Sequence, residues 1–231
     1  YAVVLGTSNG TNKYLLNIRS GSNIIYLSAD GSSLVTVNLT GQTEALALLQ
    51  STTKWVNYTL IRNGNTFSLY LNNIEVTGIP TTSVTTDTVL SKIGSSDSGS
   101  FNIKSKISNV QIFNTSLSGT EVTTLYNNGS PIRTLANIPQ NSNLKAWYKL
   151  DASEVYNSTT TEWSMDNNQN PSPKSSLSFN NGSTRIVFDS NSLNITSALT
   201  VSGWFRIPTS NTGGGGTNIQ MFLNEDATGG T

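Results

Sequence analysis

The sequence predicts an all-β protein of antiparallel strands with one short helix. Two observations carry that prediction. Asn, Ser and Thr supply 93 of 231 residues, while charged residues make up only 11%. Asn, Ser and Thr compete with a helix backbone for hydrogen bonds, and β-branched side chains fit a pleated surface. The second observation is apolar alternation along short segments bounded by turn residues. Leu, Ile, Val and Phe number 58 and the net charge is zero. That apolar share lies above the roughly 20% below which chains stay disordered. The length allows one large β domain or two small ones.

Taken in order, KYLLNIR (13–19), NIIYLSAD (23–30) and SLVTVNL (33–39) read as strands separated by Ser/Gly turns. KWVNYTLI (54–61) and TFSLYLNN (66–73) read as a hairpin, with Asn63-Gly64 supplying the positive φ values of a tight turn. In the second arm Phe67, Leu69 and Leu71 alternate with Ser68, Tyr70 and Asn72, the period of a half-buried strand. KISNVQIFN (106–114) is a further strand. The spacing predicts a helix over 118–127: Ser118 and Glu121 form a capping box, Val122, Leu125 and Tyr126 make one apolar face, and Asn128-Gly129 end it. Residues 131–143, with two Pro and no regular period, read as a linker. A second set of strands follows in LKAWYKLD (144–151), SLSFNNGSTRIVFD (176–189), ALTVSGWFRIP (198–208) and NIQMFLNE (218–225). Phe179 to Ser183 carry a hairpin signal.

Composition excludes several chemistries. With no His and no Cys, there is no Ser-His-Asp triad, no imidazole or thiolate metal site, no thiol chemistry and no disulfide. With 13 basic and 13 acidic side chains, nothing marks a nucleic-acid surface. The longest apolar run, ALALL at 45–49, is far short of the ~20 residues that span a bilayer, so no membrane insertion is expected. The chain starts at Tyr1 rather than Met, and a longer parent protein is expected. Eight N-x-S/T sequons occur, starting at Asn9, Asn38, Asn57, Asn114, Asn128, Asn157, Asn181 and Asn194. With 29 Asn and 64 Ser plus Thr, chance alone gives about eight, so they say nothing about a secretory route.

Several segments resemble a known family. WVNYTLIRNGNTFSLYLNN (55–73) is similar to the central hairpin of laminin G-like, concanavalin A-like jelly-roll domains. KISNVQIFNTSLSGTEVTTLYNNG (106–129) resembles their closing strand and the helix after it. LKAWYKLD, SLSFNNGSTRIVF and LTVSGWFRI resemble the opening of another copy. The resemblance implies an antiparallel two-sheet jelly-roll sandwich. It also implies an unusual order, closing motifs first: residues 1–130 as the back of one domain, 131–143 as linker, and 144–231 as the front of the next. The two halves of one permuted domain would give the same order. AVVLGTSNGT (2–11) and QMFLNEDATGGT (220–231) share an apolar strand running into a Gly/Thr loop, and aligning Leu5 with Leu223 gives an offset of 218 residues, one period of a tandem array.

The resemblance further implies a function class. Related jelly rolls include lectins, laminins, pentraxins and glycoside hydrolases. Cys-free, Asn/Ser/Thr-rich copies resemble domains of large surface proteins of marine phages and other viruses. The expectation is a non-catalytic module, extracellular or on a virion surface, that recognises glycans or a host surface. The alternative is a structural spacer or decoration touching only neighbouring structural proteins, as part of a homo-oligomer or larger assembly. A hydrolase is the distant alternative. The E-x-D-x-x-E strand of hydrolases with this fold is missing, and retaining hydrolysis needs two carboxylates about 5 Å apart.

Sugar recognition needs a flat ring beside amide or carboxylate groups. Trp55, Trp147 and Trp204 occupy strand positions where the family packs its core, which leaves Trp163, with Tyr70 and Tyr148, as stacking candidates. Family members also hold Ca²⁺ on rim loops through several oxygens. The oxygen-rich positions here are Asp97, Asp151, Asp166 and Asn167, and the competing reading is that each bonds its own turn. Where the family's front hairpin often carries an acidic ligand, this chain has Asn180 and Asn181.

Overall fold

The structure, a computed structural model, describes residues 16–18, 23–28, 34–81, 88–89, 92–93, 106–149, 155–157, 162–164, 177–178, 185–187, 194–195 and 198–206. The elements run β1 (Leu16–Ile18), β2 (Ile24–Ser28), β3 (Leu34–Asn38), α1 (Thr43–Leu49), β4 (Val56–Asn63), β5 (Thr66–Leu71), β6 (Ile74–Val76), β7 (Thr88–Val89), β8 (Lys92–Ile93), β9 (Lys106–Phe113) and α2 (Gly119–Tyr126). Short 3₁₀ turns at Asn127–Gly129, Leu135–Asn137 and Asn141–Asn143 lead to β10 (Leu144–Tyr148). Then come β11 (Val155–Asn157), β12 (Glu162–Ser164), β13 (Leu177–Ser178), β14 (Arg185–Val187), β15 (Asn194–Ile195) and β16 (Ala198–Arg206).

A central sheet has the order β10-β9-β16-β4-β5-β6, and β13 also pairs with β9. The meander β1-β2-β3 makes a second sheet, and shorter sheets are β11-β12-β14-β8 and β15-β7. Pairing is antiparallel apart from β12 with β14. β16 comes from the second half of the chain, yet it lies between β4 and β9 of the first half.

Period-2 alternation sorts the side chains. Val56, Tyr58 and Leu60 of β4, Phe67, Leu69 and Leu71 of β5, Ile107, Val110 and Ile112 of β9, and Leu199, Val201 and Phe205 of β16 form one buried face. Ile25 and Leu27 of β2, Val35 and Val37 of β3, and Ala45 and Leu49 of α1 belong to the same core. Two sheets thus close over a shared interior, as a sandwich requires. Tyr58 packs edge-on to Phe205, centroids 5.3 Å apart at 86°, and burial raises its phenol pKa well above the ordinary value.

The opposite face is also covered. There Ile61 and Phe113 pack with Leu117, Val122 and Leu125 around α2 and with Ile132 and Ile138 of the following segment. Residues 131–143 are therefore more than a linker. They still join the halves, but two of their apolar side chains are buried against the sheet.

α2 forms at the expected place. The Glu121 amide donates to Ser118 Oγ (3.3 Å), while Glu121 Oε2 accepts from the Ser118 amide (2.8 Å). The helix ends on Asn127, Asn128 and Gly129, all at positive φ. Hydrogen bonds from the Ser118 backbone, then from Gln140, hold the Glu121 carboxyl below its ordinary 4.5. A carboxyl lowered by folding adds stability that is complete above the unfolded pKa and is lost as pH falls through the folded value. Ser118→Ala should cost about 1 kcal/mol by thermal denaturation at pH 7. The Ser118 amide and Gln140 keep their bonds to Glu121 in the variant, so only the lost Ser118 Oγ bond to Oε2 (2.8 Å) is tied to pH, and the difference from the parent should shrink only slightly in acid.

Two turns and one helix depart from expectation. The β4–β5 loop is Gly64-Asn65, since Asn63 pairs with Thr66. Within it only Gly64 takes positive φ (56°), the pattern of a turn that needs glycine first. Asn72 (48°) and Asn73 (67°), expected inside a strand, instead form a two-residue turn into β6, with Leu71 opposite Ile74. α1 was hidden in the ALALL run: Ala, Leu and Glu are strong helix formers, and Ala45 and Leu49 fall one turn apart on its buried side. The Phe179–Ser183 hairpin signal lies outside the described residues; β13 and β14 on either side of it pair with β9, and with β8 and β12, respectively. Residues 218–225 lie outside the described residues.

Candidate functional site

The registers place one row of side chains across the helix-covered face of the central sheet. Trp147 of β10 stands beside Gln111 of β9, then Ser202 of β16, Thr59 of β4, Tyr70 of β5 and Glu75 of β6. Its middle is buried and its two ends reach the surface.

The middle is a buried polar cluster. Asn57 is 1% exposed, and its Nδ2 donates to Ser202 Oγ (3.1 Å) and to the Gly203 carbonyl (3.3 Å). Thr59 Oγ1 donates to Asn57 Oδ1 (3.1 Å) and lies 2.9 Å from Ser202 Oγ. Thr200 Oγ1 accepts from the Leu117 amide (3.0 Å) and donates to the Thr115 carbonyl (2.7 Å), tying the loop before α2 to β16. Trp204, 5% exposed, stacks on Tyr126 of α2 with centroids 5.8 Å apart and planes at 21°. Gln111 is 1% exposed, and its Nε2 has no hydrogen-bond partner.

At the β10 end, Trp147 is half-buried, and its indole N–H donates to Asn109 Oδ1 at 2.6 Å. Asn109 is buried, sits at φ 54°, and donates its own amide to the Lys149 carbonyl (3.2 Å). The left-handed turn marks a bulge in β9, where the register with β16 shifts between Ser202 and Trp204. The Lys149 ammonium lies 4.6 Å from the Trp147 ring centroid, a cation–π distance. Ring, amide and ammonium thus meet at one corner of the sheet.

At the β6 end, Tyr70 is half-buried against α2, with its hydroxyl close to where a side chain on Gly119 would project (3.6 Å). Its phenol pKa is raised by burial, then by the charge of Glu75 and a hydrogen bond to it. An open cleft of about 490 Å³ lies between the end of α2 and the following segment, lined by Thr124, Asn127, Ser130, Arg133, Thr134 and Asn137 around Pro131 and Ile132.

The structure corrects the expectations for two aromatic residues. Tyr148, expected to stack on a sugar, is 6% exposed and belongs to the main core. Trp147, expected in that core, faces the other side. The cause is a register irregularity between Leu144 and Ala146, which reverses the alternation, so Ala146 and Tyr148 turn inward. Trp204 is buried as expected, whereas Trp55 is half-buried. Trp163 lies on β12; its side chain, and Asp97, Asp151, Asp166 and Asn167, lie outside the described residues. Among the described residues, no three Asp, Glu, His or Cys side chains group as metal ligands, and no helix is long and apolar enough to cross a membrane.

Comparison with known proteins decides the family. The Laminin_G_3 family model, described as the concanavalin A-like lectin/glucanases superfamily, matches residues 2–123. The chain belongs to this laminin G-like family. No curated protein and no solved structure matches it. The antiparallel strands and stacked sheets are those of a concanavalin A-like jelly-roll sandwich. Membership makes this laminin G-like chain a lectin-like or binding module at the family level. The match covers β1 to β9 and the first half of α2, so Asn109 and Gln111 lie within the matched residues and Trp147 and β16 lie after them.

Proposed function

We propose that this laminin G-like chain is a non-catalytic recognition module of a large extracellular or virion-surface protein, and that it engages surface glycans. The observation that supports the reading is the corner made by Trp147, Asn109 and Lys149. A pyranose offers an apolar C–H face and a rim of hydroxyls. An indole held in place by its N–H bond to the buried Asn109 offers a flat surface, and the Lys149 ammonium above it, displaced by a sugar, offers a polar partner for the rim.

A glycan array probed with the full chain, with calcium and again with a chelator, tests this. Binding to a defined sugar class is expected. Trp147→Ala should weaken that binding at least tenfold while leaving the fold intact, because its ring is only half-buried. Arg133→Ala, in the separate cleft, should leave binding unchanged. Loss on chelation would assign calcium a part in the site, and silence under both conditions would leave a structural spacer. Binding that survives Trp147→Ala but is lost in Trp163→Ala would move the site to β12.

A further inference from the structure

β16 has an unusual seat. It fills a slot between β4 and β9, pairing with β4 from Ala198 opposite Asn63 to Phe205 opposite Val56, and with β9 on its other edge. Seven of its nine residues are buried in succession. The side-chain contacts described for it, to Asn57, Thr59, Thr115, Leu117 and Tyr126, all fall in the first half of the chain. The slot therefore recognises one strand by shape and by matched polar groups. Residues 149–197 separate that strand from β10, 49 residues in which β13, β14 and β15 also pair with strands of the first half, β9, β8 and β7.

We propose that the first half of a copy also accepts the β11–β16 segment, residues 155–206, of a second copy of this chain, so that copies join by segment exchange. An exchanged segment makes the same ladders with β4, β7, β8 and β9 and the same polar contacts. The difference is that the two halves meet by association of copies instead of within one chain. The repeat at an offset of 218 residues is what a chain built of such copies would show, since each copy then has a neighbour's strand at high local concentration. Two copies that exchange segments with each other close as a dimer, and one-way exchange along a tandem array runs on into chains of copies. Each exchanged unit has a mixed polar face, with Asn57 and Thr59 from one copy and Ser202 and Trp204 from the other.

The chain contains no Cys, so introduced thiols report cleanly. Thr59→Cys and Ser202→Cys face each other across the ladder. The double variant, refolded at high dilution, should form the bond within one chain, and failure to do so would overturn the register on which the exchange depends. The two single variants, unfolded, mixed and refolded at high concentration, should yield a disulfide dimer with one of each chain, several-fold above a Thr124→Cys plus Ser202→Cys control. A yield no greater than the control would overturn the exchange. If Thr59→Cys does not fold, Asn63→Cys with Ala198→Cys, at the exposed end of the same register, replaces the pair.

Discussion

Trp204→Ala is expected to cost about 3–5 kcal/mol, the range for removing a large aromatic side chain from a packed interior. Its ring is 5% exposed and stacks on Tyr126, so truncation opens a void between β16 and α2 that neither rigid element can fill. Thermal or denaturant unfolding reads the loss. Tyr126→Ala should be milder, because that ring is half-exposed. The two losses should not add, since each removes the same stack. Additive losses would show that the ring of Trp204 is held by β4 and β9 alone.

Asn57→Leu has the second large effect. The substitution is close in volume, but at a buried position it removes one hydrogen-bond partner each from Ser202, Gly203 and Thr59. Buried polar groups left unpaired cost about 1–3 kcal/mol each before relaxation, so a loss of about 2–3 kcal/mol in urea unfolding is expected. Ser202 and Thr59 still bond each other in that variant (2.9 Å), so adding Ser202→Ala should deepen the loss by orphaning the Thr59 hydroxyl. A double variant more stable than Asn57→Leu would show that the Thr59–Ser202 bond contributes little to holding β16 in register.

Much of the architecture was legible from residues. Ser118 and Glu121 located α2 because capping is local, and alternation in 66–71 identified the buried side of β5. The departures arise where one residue changes the phase. Asn72-Asn73 continue a strand by composition, but two left-handed residues turn the chain. The irregularity near Lys145 leaves no mark in composition, and it exchanged the roles of Trp147 and Tyr148. The polar cluster was hidden for another reason. Asn57, Thr59 and Ser202 read as surface positions because a strand's alternation says which side they take, not whether a helix will cover that side. Among the candidate site residues, only Tyr70 and Tyr148 have described side chains, and neither is an open platform. The Asn109 corner depends on a bulge and a strand pairing distant in sequence, so no local pattern announces it.

The burial of Asn57 bears on how the protein can be made. Asn57-Tyr58-Thr59 is an acceptor sequence for N-linked oligosaccharide, and a nascent strand entering a eukaryotic secretory pathway would present it before β16 is in place. An amide carrying a sugar tree cannot donate to both Ser202 and Gly203, and the sheet has no room for one beneath α2. Expression in a glycosylating host therefore sets modification against folding at this one side chain, whereas a bacterial cytoplasm leaves it free to take its place.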